Sequence, residues 1–452
     1  MTNHKTLTFV KYKTIDNWSV SHIVGNKMWF NDLYPMVSIG DIIEKATNTI
    51  EIQDEAQYKQ VTLKTNGGGA VLRDIKSGRD IGTKKQYVVT EGQFIMSKID
   101  ARNGAFGVIT KELDGAIVTA DFPVFNVNTN RVLPQYLFLL SSSKRFAQFA
   151  QSCSRGTTNR QRIDVGLFLS QQIPLPPLSE QHRLFNEFET NMQHAADNER
   201  QASEIERGID NYLLDTLGIT LKKDSANNKN SLFKYFHLVR YKEIDRWDCC
   251  NPKPQFKYML ENSTFDINEI GSMFHFINRG WNKVEKSFKY IELGAVDPFY
   301  GILKADTIQT DKAPSRATQK VKMGDLIVGT TRPYLKKFAI VNSDYDDCVC
   351  SSGFQVISPD KSYNIQFLYE YLKSSIAIAQ FESFMTGALY PAITSSDLKR
   401  LLIPTPPLSI QNSIVDHITA QKAKIKQLKQ TANILRETAI TAFENQIYAN
   451  LN

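Results

Sequence analysis

The amino-acid sequence predicts an α+β protein: two tandem β-rich units with helices, separated by two long helices that pair in a coiled coil. Three observations carry this reading. "IPLPPLSEQ" (Ile173 to Gln181) returns as "IPTPPLSIQ" (Ile403 to Gln411), with seven of nine letters agreeing across 230 residues. Before each copy the chain is broken into short apolar runs; after each copy it is long, polar and heptad-like. Landmarks ahead of the first copy are answered, in order, ahead of the second.

A chain of 452 residues has room for two or three domains. Sliding it by 232 places Gly92-Gln-Phe-Ile on Gly324-Asp-Leu-Ile, Phe106 on Phe338, Val108 on Ile340, Phe122 on Phe354 and Val124 on Val356. "IDNW" (15–18) answers "IDRW" (244–247), "SIG" (38–40) answers "EIG" (269–271), Gly156 pairs with Gly387 and Ile163 with Ile393. No repeat of 20 to 50 residues is visible, so this is domain duplication and not a solenoid.

Runs such as "QYVVTEGQFIMS", "GAIVTADFPVFNV", "DLIVGT" and "FAIVNS", separated by Gly, Asn and Asp, predict strands and turns. In "PQYLFLLSSSKRFAQFA" (134–150) and "IQFLYEYLKSSIAIAQF" (365–381) apolar residues recur at helical spacing, so each unit carries a helix there. Pro176-Pro177 and Pro406-Pro407 cannot lie inside a helix. Leu-Ser follows each pair, which makes Ser179 and Ser409 the N-cap candidates.

Beyond the first cap Phe185, Phe188, Met192, Ala195, Ala202, Ile205, Ile209 and Tyr212 form a seam. Beyond the second it is Ile414, Ile418, Ile425, Leu428, Ala432, Leu435, Ala439 and Ala442. Steps of three, four and seven make these heptad seams, each roughly 60 Å long at 1.5 Å per residue. Residues 179–217 carry nine acidic and three basic side chains, and residues 409–448 three acidic and five basic, with Lys422, Lys424, Lys426 and Lys429 unopposed. Opposite net charge favours pairing of the two seams with each other. The expected divisions are 1–178 and 226–408 for the β-rich units, with 179–225 and 409–452 for the helices and linker.

Hydrophobic content of 42% with 22% charged residues excludes a disordered chain. No run of about 18 apolar residues and no basic-then-apolar leader occurs, so neither a membrane span nor a secretory signal is expected. Cys153, Cys249, Cys250, Cys348 and Cys350 form no CxxC pair, which fits free thiols in a reducing compartment. The formal charge of +7 is compatible with a polyanionic partner.

The basic residues cluster. "VLRDIKSGRDIGTKKQ" (71–86) offers Arg73, Lys76, Arg79, Lys84 and Lys85 against two aspartates. "SRGTTNRQR" (154–162) offers Arg155, Arg160 and Arg162 beside Thr157, Thr158, Asn159 and Gln161, with no acid. In the second unit "NRGWNKVEK" (278–286) supplies Arg279 and Lys283, and "TTRPYLKK" (330–337) supplies Arg332, Tyr334, Lys336 and Lys337. Lys98, Arg102 and Tyr390 complete the candidate set. Arg suits phosphates, and Asn, Gln and Arg suit base edges, so the mixture points to a nucleic acid. An ordinary solvated loop is the competing reading, and recurrence in both units speaks against it. Gly156 leads into "TTNRQRI" whereas Gly387 leads into "ALYPAI", so one scaffold carries two loop chemistries and two unlike half-sites are implied.

No catalytic constellation stands out. "VDPFYG" (296–301) approaches the Asp-Pro-Pro-Tyr loop of amino-methylating DNA methyltransferases, but has one proline and no cofactor loop before it. "NGGGA" (66–70) lacks the Lys-Ser/Thr of a phosphate loop and reads as a turn. Pro359-Asp360 with Asp397-Leu-Lys399 fits only a loose metal-nuclease pattern, and the seven histidines show no zinc spacing.

Two "IPxPPLxxQ" hinges, each after a β-rich unit with a Gly-hydrophobic-Ile strand and before a long helix, resemble the specificity (S) subunit of type I restriction–modification systems. The similarity spans nearly the whole chain. It implies two target-recognition domains joined by helices in an antiparallel coiled coil, each domain reading one half of a bipartite, asymmetric site in double-stranded DNA. It further implies that the helices set the spacer and dock two methyltransferase (M) subunits, which recruit motor–nuclease (R) subunits. The chain itself would be non-catalytic and bind no cofactor; S-adenosylmethionine, ATP and Mg would sit on partners, in the cytoplasm. "TGALYPAI" departs from this pattern in lacking the basic side chains of "SRGTTNRQRI". Alternatives are the specificity partner of a fused restriction–methylation polypeptide, a stand-alone DNA methyltransferase, or a coiled-coil scaffold without nucleic acid.

Overall fold

A computed structural model describes residues 30–155, 162–219, 260, 262–387 and 389–448. "IDNW" and "IDRW", Gly156, Cys249 and Cys250 lie outside the described residues. The chain divides into two compact units, Met1–Glu199 with Lys429–Asn452, and Arg200–Leu428.

The first unit is built on two sheets. A four-stranded antiparallel sheet runs in the order Ile43–Lys45, Val124–Val127, Phe94–Met96, Phe106–Val108. A five-stranded sheet runs Thr49–Glu51, Lys85–Val88, Ile117–Val118, Gln57–Lys64, Gly69–Ser77, with one parallel pairing at Gln60 and Ile117. Met36–Ser38 pairs separately with Gln172–Pro174, so the hinge itself begins as a strand.

The apolar runs are near-continuous because both faces of the four-stranded sheet are covered. Phe94, Met96, Phe106 and Phe125 pack on Tyr136, Phe146 and Phe149. The alternate residues Ile95 and Val124 pack on Val61, Leu63 and Val118 of the larger sheet.

The second unit repeats this order. Its four-stranded sheet runs His275–Ile277, Phe354–Ser358, Leu326–Gly329, Phe338–Ile340, and its larger sheet runs Arg279–Gly280, Ala317–Lys320, Val349–Ser351, Ser287–Ile291, Asp306–Gln309. Leu326, Val328 and Phe338 face one core while Ile327 and Val356 face the other. Cys153, Cys348 and Cys350 are buried free thiols.

The expected helices over 134–150 and 365–381 are each two. They run Pro134–Ser141 and Lys144–Gln151, then Ile365–Leu372 and Ser375–Phe384. Serine hydroxyls break them: Ser143 accepts from the Phe146 N–H (3.0 Å) and Ser374 from the Ala377 N–H (3.3 Å), which starts a new helix at each.

The long helices run Leu178–Thr216 and Leu408–Ile447. Each contributes residues to both units. Ser179 and Ser409 are not N-caps, because the carbonyls of Pro177 and Pro407 already accept the first helical bonds, from Gln181 and Gln411. The hinge glutamines are buried and bind backbone instead. Gln181 donates to the Arg131 and Pro176 carbonyls (3.0 and 2.8 Å) and accepts from the Leu133 N–H (2.8 Å). Gln411 donates to the Pro406 carbonyl (2.8 Å) and accepts from the Asn364 N–H (2.9 Å).

Within each unit the two helices run antiparallel. In the first, Arg183 meets Gln446 (2.8 Å) while Glu199 meets Arg436 (2.5 and 2.6 Å). In the second, Tyr212 stacks on His417 at 3.8 Å. Ala195, Ala202, Ile414, Ile418, Ile425, Ala432 and Ala439 are buried as expected, whereas Leu184, not Phe185, is the buried residue of the first turns. Lys422 is not unopposed: it grips the buried carboxylate of Glu370 at 2.7 and 2.6 Å. The helix ends also plug the cores. Phe443, Ile447 and Tyr448 enter that of the first unit; Leu213, Leu214 and Leu217 enter that of the second.

Candidate nucleic-acid interface

Two loops meet in each unit, and they meet in the same way. The strand Phe94–Met96 leads into a loop whose 3-10 turn, Ala101–Asn103, is closed by Gly104 at φ 75°. Its counterpart, Leu326–Gly329, leads into the turn Pro333–Leu335, closed by Lys336 at φ 53°. A second loop follows the helix Lys144–Gln151 in one unit and Ser375–Phe384 in the other. An equivalent backbone bond joins the loops in both units: Ile163 N–H to the Lys98 carbonyl (2.9 Å), and Ile393 N–H to the Thr330 carbonyl (3.0 Å). A short capped helix then fixes each exit, Asp164 accepting from Leu167 N–H and Thr394 from Asp397 N–H. Each loop is legible in the sequence by itself, but the contact between them is not.

In the first unit this junction gathers Lys98, Arg102, Arg155 and Arg162. Arg155 and Arg162 are backbone partners across a short antiparallel strand pair. Asp121 makes an exposed ion pair with Arg162 at 3.2 Å. Thr157, Thr158, Asn159 and Arg160, between them, lie outside the described residues.

The other candidates of this unit sit away from the junction, on the larger sheet. Arg73 is exposed on its edge strand, at a bulge between the pairs Gln60–Asp74 and Val61–Leu72. Such a bulge re-aims a side chain. Lys85 is exposed at a strand start. Lys76 pairs with Asp74 (3.4 Å), Arg79 with Glu55 (3.1 Å) and Lys84 with Asp54 (2.6 Å), so local acids offset much of this cluster.

In the second unit the junction gathers Arg332, Tyr334, Lys336 and Tyr390. The Arg332 guanidinium lies 4.9 Å from the Tyr390 ring centre and donates to the Leu389 carbonyl at 3.1 Å. The second loop, which has no cation of its own, thus receives one from the first. Leu335 and Leu389 stand exposed beside them. Neither has a periodicity that would mark it.

Of the remaining candidates of this unit, Arg279 and Lys337 hold structure. Arg279 donates through both terminal nitrogens to Asp325, which is 1% exposed, so its charge is neutralised inside the fold. We therefore assign Arg279 a structural role. Lys337 donates to the Val296 carbonyl and Lys373 to that of Pro298, pinning the hairpin that carries "VDPFYG". Burial acts to raise the Asp297 pKa, but the N–H groups of Tyr300 and Phe299 outweigh it and hold the carboxyl below its usual range. That carboxylate closes a turn. Lys283 sits at φ 59° on an exposed turn braced by Glu285, whose pKa the Lys320 bond draws down to about 2, with help from Trp281.

The acids of the loose nuclease pattern are structural as well. Asp397 completes a capping box with Thr394, and Asp360 accepts from the Ser362 N–H and meets His275 at 3.1 Å. Among the described residues no group of three or more His, Cys, Asp or Glu could hold a metal, and no helix is long and apolar enough to cross a membrane.

Known proteins place this architecture. A solved chain from work on complex assembly and conformational transition of the type I R-M system shares the fold, with a TM-score of 0.57 and 17% identity over 92% of this chain and 98% of that one. An HsdS subunit from Thermoanaerobacter tengcongensis matches at a TM-score of 0.46 and 17% identity, over 92% of this chain and 98% of its own. The specificity subunit of the type I restriction enzyme HindI of Haemophilus influenzae is 27% identical over 135 residues, which is 29% of this chain and 29% of that relative. The family model described as type I restriction modification DNA specificity domain matches twice, at residues 31–207 and 262–436. Those two matches cover well over half of the sequence and fall one on each copy of the duplication, so the chain belongs to the type I restriction modification DNA specificity domain family.

Proposed function

We propose that this chain is the DNA sequence-specificity subunit of a type I restriction–modification enzyme. Each unit reads one half of a bipartite, asymmetric site in double-stranded DNA through its loop junction. The paired helices set the spacer and dock two methyltransferase subunits, through which motor–nuclease subunits join. The chain performs no catalysis, works in the cytoplasm and leaves S-adenosylmethionine, ATP and Mg to its partners.

The observation that carries this reading is the doubled junction: one backbone frame, built twice, with Arg162 paired to Asp121 in one unit and an arginine stacked on tyrosine in the other. Unlike side chains on like frames suit two different half-sites.

The test is reconstitution with methyltransferase subunits, followed by duplex-DNA binding across salt concentrations. Sequence-dependent affinity that falls steeply with salt is expected, together with methyl transfer that requires both components. S-adenosylmethionine binding by the isolated chain would point to a stand-alone methyltransferase. An assembly with no DNA affinity would leave only the scaffold.

A further inference from the structure

Arg332 occupies a setting that its counterpart in the first unit does not share. Its backbone is left-handed, at φ 49° and ψ 57°, a region that non-glycine residues enter at a cost in free energy. The equivalent residue, Asp100, sits at φ −104° and ψ 7°, outside the left-handed region. The Arg332 N–H is tied to the Pro391 carbonyl at 2.7 Å, so the strained turn is locked to the second loop.

The side chain is equally constrained. Tyr390 stacks under the guanidinium, the Leu389 carbonyl takes one Nη2 hydrogen at 3.1 Å, and Nε is buried without a hydrogen-bond partner. Leaving a buried donor unpaired is unfavourable. What this arrangement secures is a fixed plane with its outer edge, Nη1 and Nη2, available as a two-pronged donor.

A fixed planar fork matches guanine, whose O6 and N7 accept a bidentate arginine in the major groove. A phosphate would accept the same fork, but the surroundings are wrong for a backbone contact. Tyr390 and Leu389 are 66% and 77% exposed, Tyr334 and Leu335 lie on the same loop pair, and Lys337 is committed to the Val296 carbonyl, which leaves Lys336 as the other cation of the junction. Exposed aromatic and apolar groups outnumber the two cations here, a mixture that suits base edges.

We infer that Arg332, seated on Tyr390, reads a guanine in the half-site of the second unit. The inference rests on the proposed DNA-recognition function. Tyr390 acts as a positioning residue, through the orientation of Arg332.

The test maps modified sites in the genome of cells carrying the full chain with its partners, for wild type, Arg332→Lys, Tyr390→Ala and Tyr390→Phe. Arg332→Lys keeps the charge and loses the fork. It should relax a single position of one half-site, by about tenfold to a hundredfold in discrimination, and that position should be a guanine in the wild-type site. Tyr390→Ala should relax the same position less, and Tyr390→Phe, which keeps the ring, should restore it. Because Tyr390 is exposed, its variants report even where Arg332→Lys fails to fold.

Relaxation at an A·T pair, an equal loss at every sequence, or an unaltered site would overturn the inference while leaving DNA recognition intact. A wild-type assembly that modifies DNA without sequence preference would instead overturn the function on which it rests.

Discussion

Replacing Gln181 with Leu keeps the side-chain volume and removes all three of its hydrogen bonds. The Leu133 N–H and the carbonyls of Arg131 and Pro176 lose their partner, and the last of these contacts is fully buried. At about 1 kcal/mol for each stranded group the first unit should lose about 3 kcal/mol. For a unit of this size that corresponds to a fall in Tm of roughly 6–12 °C. Gln411→Leu strands two groups, the Asn364 N–H and the Pro406 carbonyl, and should cost about 2 kcal/mol. Ser179→Ala is the control. An N-cap serine would cost about 1 kcal/mol on truncation, but Ser179 is exposed inside the first turn and its loss should stay within about 0.5 kcal/mol. Thermal and denaturant unfolding of the three variants checks this ranking. A destabilised Ser179→Ala beside a neutral Gln181→Leu would refute the assignment of the hinge to its glutamine.

Further outcomes follow from the same structure. Burial pushes the Lys373 ammonium down to about 7, with Lys422 beside it adding repulsion, whereas an unfolded lysine keeps its proton to about pH 10.4. The unfolded state therefore binds more protons between these values, so stability should rise as pH rises from about 7 to 10, a slope that Lys373→Met should flatten in denaturant melts. Ile425→Asp places a charge at a fully buried seam position and should open the helix pair, seen as loss of methyltransferase-subunit binding in size-exclusion chromatography while Gln411 variants with the seam intact still assemble. Inserting four residues after Ala202 lengthens the first helix by roughly 6 Å. Mapped sites should then show a spacer one or two base pairs longer with unchanged half-site bases; changed bases at constant spacing would count against the helices as a ruler.

The duplication was legible because it is written in the sequence as order: Phe94 and Leu326, Ile95 and Ile327, Val124 and Val356 occupy equivalent strands facing equivalent cores. Period alone could not place the helix breaks at Ser143 and Ser374, since apolar spacing continues across them and only the hydroxyl bonds end each turn. Nor could it separate Leu184 from Phe185, adjacent apolar residues on a helix whose facing depends on its partner. Long-range pairing hid the roles of the cations. Arg279 meets Asp325 and Lys422 meets Glu370 across 46 and 52 residues, so a basic run read locally overstated what is available to a ligand. The contact of Arg332 with Tyr390 was hidden for the same reason, and there the local reading understated the second loop.

The central claim is that two like frames carry two unlike readers. Its most direct measurement is single-molecule mapping of modified bases in DNA from cells that carry the chain with its methyltransferase partners. The expected result is one bipartite site whose two halves differ in sequence and are separated by a fixed number of unspecified base pairs. A palindromic site, a single continuous one, or halves at variable separation would contradict it.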